Sequence, residues 1–194
     1  GVIGTGWQAQ SQLKAVCGVR QIERVNAYSR SEERRQQYSE TMSAELNIPV
    51  TPVDSAEEAV QDADIIITIT SSPKPVLQGA WVSPGTHINA AGSNALIRSE
   101  IDIDVVKQSA LIVTDSLEQA KIECGDLLGP IERGVINWGQ VHELGDVVTG
   151  RLQGRGSDED VTLFESQGLA IEDMAVASLV YERAKAQGMG KEIG

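Results

Sequence analysis

Gly1-Val2-Ile3-Gly4-Thr5-Gly6-Trp7-Gln8-Ala9 is the stretch whose reading decides the fold. An apolar start runs into Gly4-Thr5-Gly6, and helix-compatible sequence follows at once. That is a strand, a tight glycine turn and a helix N-terminus. Backbone in such a turn can come close to a phosphate, and the helix start offers free N–H groups and the positive end of a dipole. The spacing is G-x-G-x-x-A. Alone it is weak, because a glycine turn also serves as a plain strand-to-helix connection. It needs a β-α-β unit behind it and a polar residue at the end of the second strand.

Both are legible further along. Residues 7–18 read as a helix, with Trp7, Leu13, Val16 and Cys17 as its apolar stripe and Gly18 at its end. Residues 24–29 read as the second strand, followed directly by Arg30. Ser31 is a cap for a helix over 31–46, with Glu32 and Glu33 in its first turn. A short strand at 49–53 and a Ser55-capped helix at 55–61 lead to residues 63–70, a continuous β-branched run of the kind that is covered on both faces. Ser71-Ser72-Pro73-Lys74-Pro75 forces a loop. A strand at 86–91, a helix at 100–109, a strand at 110–114 and a Ser116-capped helix at 117–124 complete the alternation.

Strands alternating with helices over 1–124 predict an α/β fold, a doubly wound Rossmann-like parallel sheet. From Gly125 to Gly150 glycines and Pro130 break the rhythm. Residues 152–158 read as an exposed loop, 161–164 as a last short strand, and 169–187 as a long helix striped by Ile171, Met174, Ala177, Val180 or Tyr181, and Ala184. The expected division is 1–150 as the dinucleotide-binding unit and 151–194 as a loop, strand and helix that leave it.

Composition sets limits. Apolar residues at 41% and charged residues at 23% describe a globular chain whose core is aliphatic, since there is one Phe. A net charge of −12 repels phosphate backbones and anionic bilayers, which argues against nucleic-acid and membrane partners. Cys17 and Cys124 are isolated, which points away from disulfides and zinc and toward a reducing compartment such as the cytoplasm. The chain begins inside its first predicted strand without a Met, and the expectation is that an N-terminal part is absent.

Strand C-termini in such a sheet face the ligand. Gly4, Gly6 and Gln8 form either a pyrophosphate cradle or a structural turn. At the end of the second strand, where an acidic residue would grip the ribose of NAD, stand Ser29, Arg30 and Ser31. A guanidinium there holds a 2′-phosphate in fork geometry, which favours NADP; the alternative is that Arg30 packs over adenine or faces water. Thr70, Ser71 and Ser72 offer hydroxyls to a ribose or cap their own loop. Asn94 and Arg98 follow the next strand; by spacing alone Asn94 is an ordinary turn residue. His87 and His142 lack metal-ligand spacing and read as structural.

Five motifs recur in this order in one family: Gly4-x-Gly6-x-Gln8-Ala9, Tyr28-Ser29-Arg30-Ser31, Pro84-Gly85-Thr86-His87-Ile88-Asn89-Ala90-x-Gly92, Glu143-Leu144-Gly145-Asp146-Val147-x-x-Gly150, and Thr162-Leu163-Phe164-x-Ser166-x-Gly168-Leu169-Ala170-x-Glu172-Asp173. Through them the chain resembles the ornithine cyclodeaminase/μ-crystallin family over nearly its whole length. The resemblance implies a homodimer of two-domain subunits, with a substrate domain drawn largely from the N-terminal part and rejoined by the final helix. It implies NAD(P)-linked hydride transfer at the amino- or imino-bearing carbon of a small amino or imino acid.

By the same resemblance, Gly4, Thr5, Gly6, Trp7 and Gln8 meet the pyrophosphate, and Ser29, Arg30 and Ser31 meet the adenosine ribose. Thr70 and Ser71 run along the cofactor, Ala91, Gly92 and Ser93 approach the nicotinamide, Ser166 touches cofactor, and Gln167 faces substrate. Asn94 departs from the pattern: cyclodeaminases carry an acid/base Asp there, and an amide shuttles no proton. The expected activity is therefore an imine reductase or amino-acid dehydrogenase. Ornithine cyclodeamination and cofactor binding without turnover are the alternatives.

Overall fold

The computed structural model describes residues 1–191. Eight strands form one sheet: β1 (Val2–Ile3), β2 (Val25–Tyr28), β3 (Val50–Pro52), β4 (Ile65–Thr68), β5 (His87–Ala90), β6 (Ser109–Thr114), β7 (Val141–Glu143) and β8 (Val161–Glu165). Their order is β3-β2-β1-β4-β5-β8-β6-β7, and every pairing is parallel. The helices are α1 (Trp7–Val19), α2 (Glu32–Leu46), α3 (Ala56–Val60), α4 (Ile103–Gln108), α5 (Leu117–Glu123), α6 (Gly125–Glu132), α7 (Leu144–Val148) and α8 (Ala170–Ala186).

Period-two alternation divides the apolar side chains between the two faces of the sheet. Val2 and Ile67 join Ala9, Leu13, Tyr38 and Met42 under α1 and α2. Ile3 and Ile66 point the other way, into a larger core with Ile88, Val105, Leu127 and Leu163. A parallel strand covered on both faces has to be apolar throughout, which is why residues 65–67 are Ile-Ile-Ile. Ser31, Ser55 and Ser116 cap α2, α3 and α5 as the sequence predicts, each accepting the N–H three residues on.

Four expectations are corrected. Trp7 is 85% exposed and takes no part in the packed face of α1, which Ala9 and Leu13 supply. Six residues from Trp7 to Leu13 is not a helical repeat, so the two cannot share a stripe. The predicted helix at 100–109 is shorter: Asp102 accepts the Val105 N–H and starts α4 at Ile103, leaving Glu100 on extended chain. The stretch from 125 to 150 holds α6, β7 and α7; α6 forms around Pro130 because Leu127 and Asp126 are buried beneath it. Finally, Val161–Glu165 lies between β5 and β6, inside the sheet, so a boundary at residue 150 leaves the first unit without an interior strand.

Winding runs β1 to β2 to β3 in one direction, and β4 then lands on the opposite side of β1. Ligands bind at such a reversal, beyond the strand C-termini. The helix α8 stands apart from this body: Ile171, Met174, Val176, Leu179, Val180 and Tyr181 are all exposed, Ile171 by 73%.

Candidate functional site

The glycine turn is built by close backbone packing. Gly4 has φ +110°, a left-handed conformation, and a side chain there would run into the Ile69 carbonyl. Its N–H donates to the Tyr28 carbonyl at 2.8 Å. Gly6 differs: it is the N-cap of α1, and a Cβ on it would meet nothing within 4 Å. No side chain caps α1. Open space above an uncapped helix start, with no side chain occupying it, fits an anionic group such as a pyrophosphate.

Thr5 ties this turn to the end of β2, its hydroxyl donating to Ser29 Oγ at 2.9 Å. Ser29 Oγ donates onward to the Ser31 carbonyl at 3.1 Å, and Ser31 Oγ accepts the Arg34 N–H. The neighbouring Arg35 is engaged, with the Ser29 carbonyl and with Asp54. Arg30 is exposed and enters no ion pair or side-chain hydrogen bond among the described residues. No carboxylate follows β2 directly; Asp54, beyond β3, is held by Arg35.

On the other side of β1, a buried carboxylate fastens two strand ends together. Glu100 Oε1 accepts the Thr70 N–H, and Oε2 accepts the Gly92 N–H at 2.6 Å and the Thr68 hydroxyl at 3.1 Å. Gly92 is required here, because a side chain would strike the Thr70 carbonyl and the Glu100 carboxyl. Asp126 in α6 accepts the Glu100 N–H at 2.7 Å, the Ile101 N–H at 3.1 Å and the Ser99 hydroxyl at 2.9 Å. Ser93 donates to Glu165 Oε2 at 3.2 Å, and the Cys124 thiol donates to the same oxygen at 3.6 Å. Burial pushes the Glu165 carboxyl well above the usual glutamate range, and the charges of Asp126 and Glu100 push it the same way. Burial also raises Glu100 and Asp126, against the pull of the N–H groups they accept.

At the end of β8, the Ser166 N–H donates to the Ala90 carbonyl at 2.9 Å. Asp115, at the end of β6, accepts the N–H groups of Gln167 at 2.8 Å and Gly168 at 2.6 Å. Gln167 is 5% exposed, and neither atom of its side-chain amide has a partner among the described residues. Asn94 is exposed, with its Oδ1 accepting from Arg98 at 2.9 Å.

The sequence-derived residues therefore gather at one edge of the sheet: the turn at Gly4, Thr5 and Gly6 with Trp7 and Gln8, then Ser29–Ser31, Thr70, Ala91–Asn94, and Ser166–Gln167. Ser71 is exposed just beyond Thr70. The two histidines lie elsewhere. His87 opens β5 at its far end, bonded to Thr162 and Asn89, and burial lowers its pKa. His142 is on the edge strand β7. A hollow of about 460 Å³ is also at the far end, around Arg24, Asp62 and Asp64, and joins none of these groups. No three His, Cys, Asp or Glu side chains are placed to hold a metal ion among the described residues.

Residues 1–188 match the family model described as "Ornithine cyclodeaminase/mu-crystallin family". The chain belongs to that family. Among its relatives is a Delta(1)-pyrroline-2-carboxylate reductase of Bacillus cereus, 40% identical over 99% of this chain and 59% of the relative. An alanine dehydrogenase of Archaeoglobus fulgidus is 40% identical over 100% of this chain and 59% of the relative. Among solved members, the Thermococcus litoralis Delta(1)-pyrroline-2-carboxylate reductase in complex with NADH and L-proline superposes with a TM-score of 0.94 at 41% identity, covering 99% of this chain and 59% of that one. The iminosuccinate reductase of Paracoccus denitrificans in complex with NAD+ gives 0.90 at 35% identity, over 100% of this chain and 58% of that one. The chain thus spans about three fifths of the length of these family members.

Within the family frame, sequence reasoning missed the acids that hold the loops: Glu100, Asp126 and Glu165. Glu100 was absorbed into a predicted helix, and Asp126 fell where the rhythm breaks. Glu165 directly follows the strand residues Val161-Thr162-Leu163-Phe164, and its place beyond the predicted strand end gives no sign of its partners.

Proposed function

We propose that the chain forms the cofactor site of an NAD(P)-dependent oxidoreductase that transfers hydride at the amino- or imino-bearing carbon of a small amino or imino acid, as an imine reductase or amino-acid dehydrogenase. The observation that carries this reading is the meeting of the uncapped α1 start, the carboxylate-free end of β2 and the ends of β4, β5 and β8 at the point where winding reverses. Its family relatives include two imine reductases and an alanine dehydrogenase, which supports the reaction class.

Gly6 and the free N–H groups of α1, with Trp7 and Gln8 above them, hold the pyrophosphate. Thr5, Ser29 and Ser31 line the adenosine ribose. Arg30, unpaired, admits a 2′-phosphate, so NADP(H) is accepted; that three solved relatives carry NADH or NAD supports NAD(H) as well. Thr70, Ser71, Ala91, Gly92 and Ser93 bound the nicotinamide half together with Ser166. A bound nicotinamide supplies or accepts the hydride. Asn94 orients the substrate through its amide and moves no proton, which suits reduction of an imine already protonated on nitrogen better than deamination with ring closure. Gln167 brings a buried, unpartnered amide to the same edge, matching a polar substrate group. The exposed apolar residues of α8 support its packing against a second domain or a second copy in a homodimer.

The test is a steady-state assay with NADH and NADPH against cyclic imino acids and against 2-oxo acids with ammonia. Turnover on an imine is expected. Tight cofactor binding with no turnover on any member of the panel overturns the enzymatic reading in favour of a binding protein. Ammonia release from ornithine without added oxidant overturns the role given to Asn94.

A further inference from the structure

Glu100 lies outside every group assigned above to cofactor or substrate, yet it is fully buried directly beneath them. Its carboxylate receives three donors and is offered no acceptor: the Thr70 N–H, the Gly92 N–H and the Thr68 hydroxyl. These donors come from two strands. Thr68 ends β4 and Thr70 lies just beyond it, while Gly92 lies just beyond β5. The two strands pair directly, with Thr68 opposite Ala90. One side chain therefore sets the spacing of two loop origins on the half of the cleft away from β2. It is itself gripped by its own backbone, since Asp126 accepts the Glu100 and Ile101 N–H groups. The glycine at 92 leaves the space that this carboxyl fills.

We propose that Glu100 is a positioning residue for the nicotinamide half of the cleft: it fixes the Thr70 and Gly92 backbones without touching cofactor, and leaves the adenosine half untouched. The proposal rests on the cofactor site described above. The adenosine half, made by the Gly4–Gly6 turn and Ser29–Ser31, is held by a separate set of bonds, the Thr5 to Ser29 and Gly4 to Tyr28 hydrogen bonds, none of which involves Glu100.

The separation gives the test. In Glu100→Gln one oxygen becomes an NH2. Whichever way the amide turns, that NH2 opposes a backbone N–H, of Thr70 or of Gly92, donor against donor. Titrations of the chain with NADH and with ADP, which carries the adenosine ribose and the diphosphate but no nicotinamide, read the two halves separately. Loss of the acceptor for one backbone N–H, and of charge assistance at the other, should weaken NADH binding by roughly tenfold or more, while ADP binds as in the unsubstituted chain. Equal losses for both ligands, or none for NADH, overturn the proposal. Thr68→Val removes only the hydroxyl donor and keeps the shape of the strand. If Glu100→Gln does not fold, a folded Thr68→Val must show the same selective loss in milder form, and unchanged binding of both ligands overturns the proposal. Failure of the unsubstituted chain to bind either ligand overturns the cofactor reading itself, before any variant is compared.

Discussion

The Asp115 carboxylate, at the end of β6, accepts the Gln167 N–H at 2.8 Å across 52 residues of sequence. The same oxygen takes the Gly168 N–H, while the other oxygen takes the Ser116 N–H at 2.9 Å. One side chain thus aims the loop that carries Ser166 and Gln167 over the sheet. Asp115→Asn puts an NH2 against one of these donor sets. The loss should be about 1–3 kcal/mol. Faster hydrogen exchange at the Gln167 and Gly168 amides, with exchange in β1 unchanged, is the expected result.

Gly4 and Gly6 should separate folding from binding. An alanine at Gly4 takes φ +110° and meets the Ile69 carbonyl. The backbone conformation alone costs about 1–3 kcal/mol, which for a chain of this size lowers Tm by about 2–4 °C per kcal/mol. Gly6 has φ −83° and open space around it. Gly6→Ala should therefore melt like the unsubstituted chain in calorimetry, while its methyl group should obstruct the proposed anion site and weaken NADH binding.

The proposed site has Arg30 read the 2′-phosphate of NADP(H). Arg30→Asp should cost about 1.5–3 kcal/mol in NADPH binding, the range for hydrogen bonds to charged groups, and far less in NADH binding. Matched losses in fluorescence titrations of the two cofactors would show that the guanidinium does not read the 2′-phosphate.

Glu165 makes stability fall as pH rises. Its folded pKa lies well above the usual value, so the folded chain binds a proton that the unfolded chain has released. The favourable contribution is complete below the unfolded pKa and is lost upward through the folded one, at about 1.4 kcal/mol per pH unit. Asp126, Glu100 and the Cys124 thiol surround it. Glu165→Gln carries no charge to bury, so its Tm should gain on that of the unsubstituted chain progressively from pH 5 to pH 8. Parallel melting curves across that range would refute the assignment.

Helix α8 should matter to association and not to the body of the fold. Ile171 and Leu179 are 73% and 51% exposed. Replacing both with Ser should change unfolding free energy by no more than about 0.5 kcal/mol. In size-exclusion chromatography with light scattering, the variant should show less self-association than the unsubstituted chain.

Much of this molecule is legible in its sequence because the signals are local. A largely β-branched run at 63–70, serine caps at 31, 55 and 116, and glycines where a turn passes close to a neighbouring strand each need only a few adjacent residues to be recognised. That the candidate residues lie at strand ends follows from the same alternation. The acids Glu100, Asp126 and Glu165 were not legible, because each is defined by partners far along the chain: Gly92 lies eight residues from Glu100, but Thr70 lies 30 away, and Ser93 lies 72 from Glu165.

The sequence by itself determined the alternation, the turn chemistry and the residue types at the strand ends, since these follow from backbone sterics, capping and the period of apolar side chains. Only the tertiary structure decided that the last strand of the chain enters between β5 and β6. Strand order is set by which apolar faces fit together across the whole sheet, and no local signal encodes it. That placement buries Glu165 beside Ser93 and Cys124. It also brings Ser166 and Gln167 to the opening glycine turn's edge of the sheet, where residues distant in sequence meet.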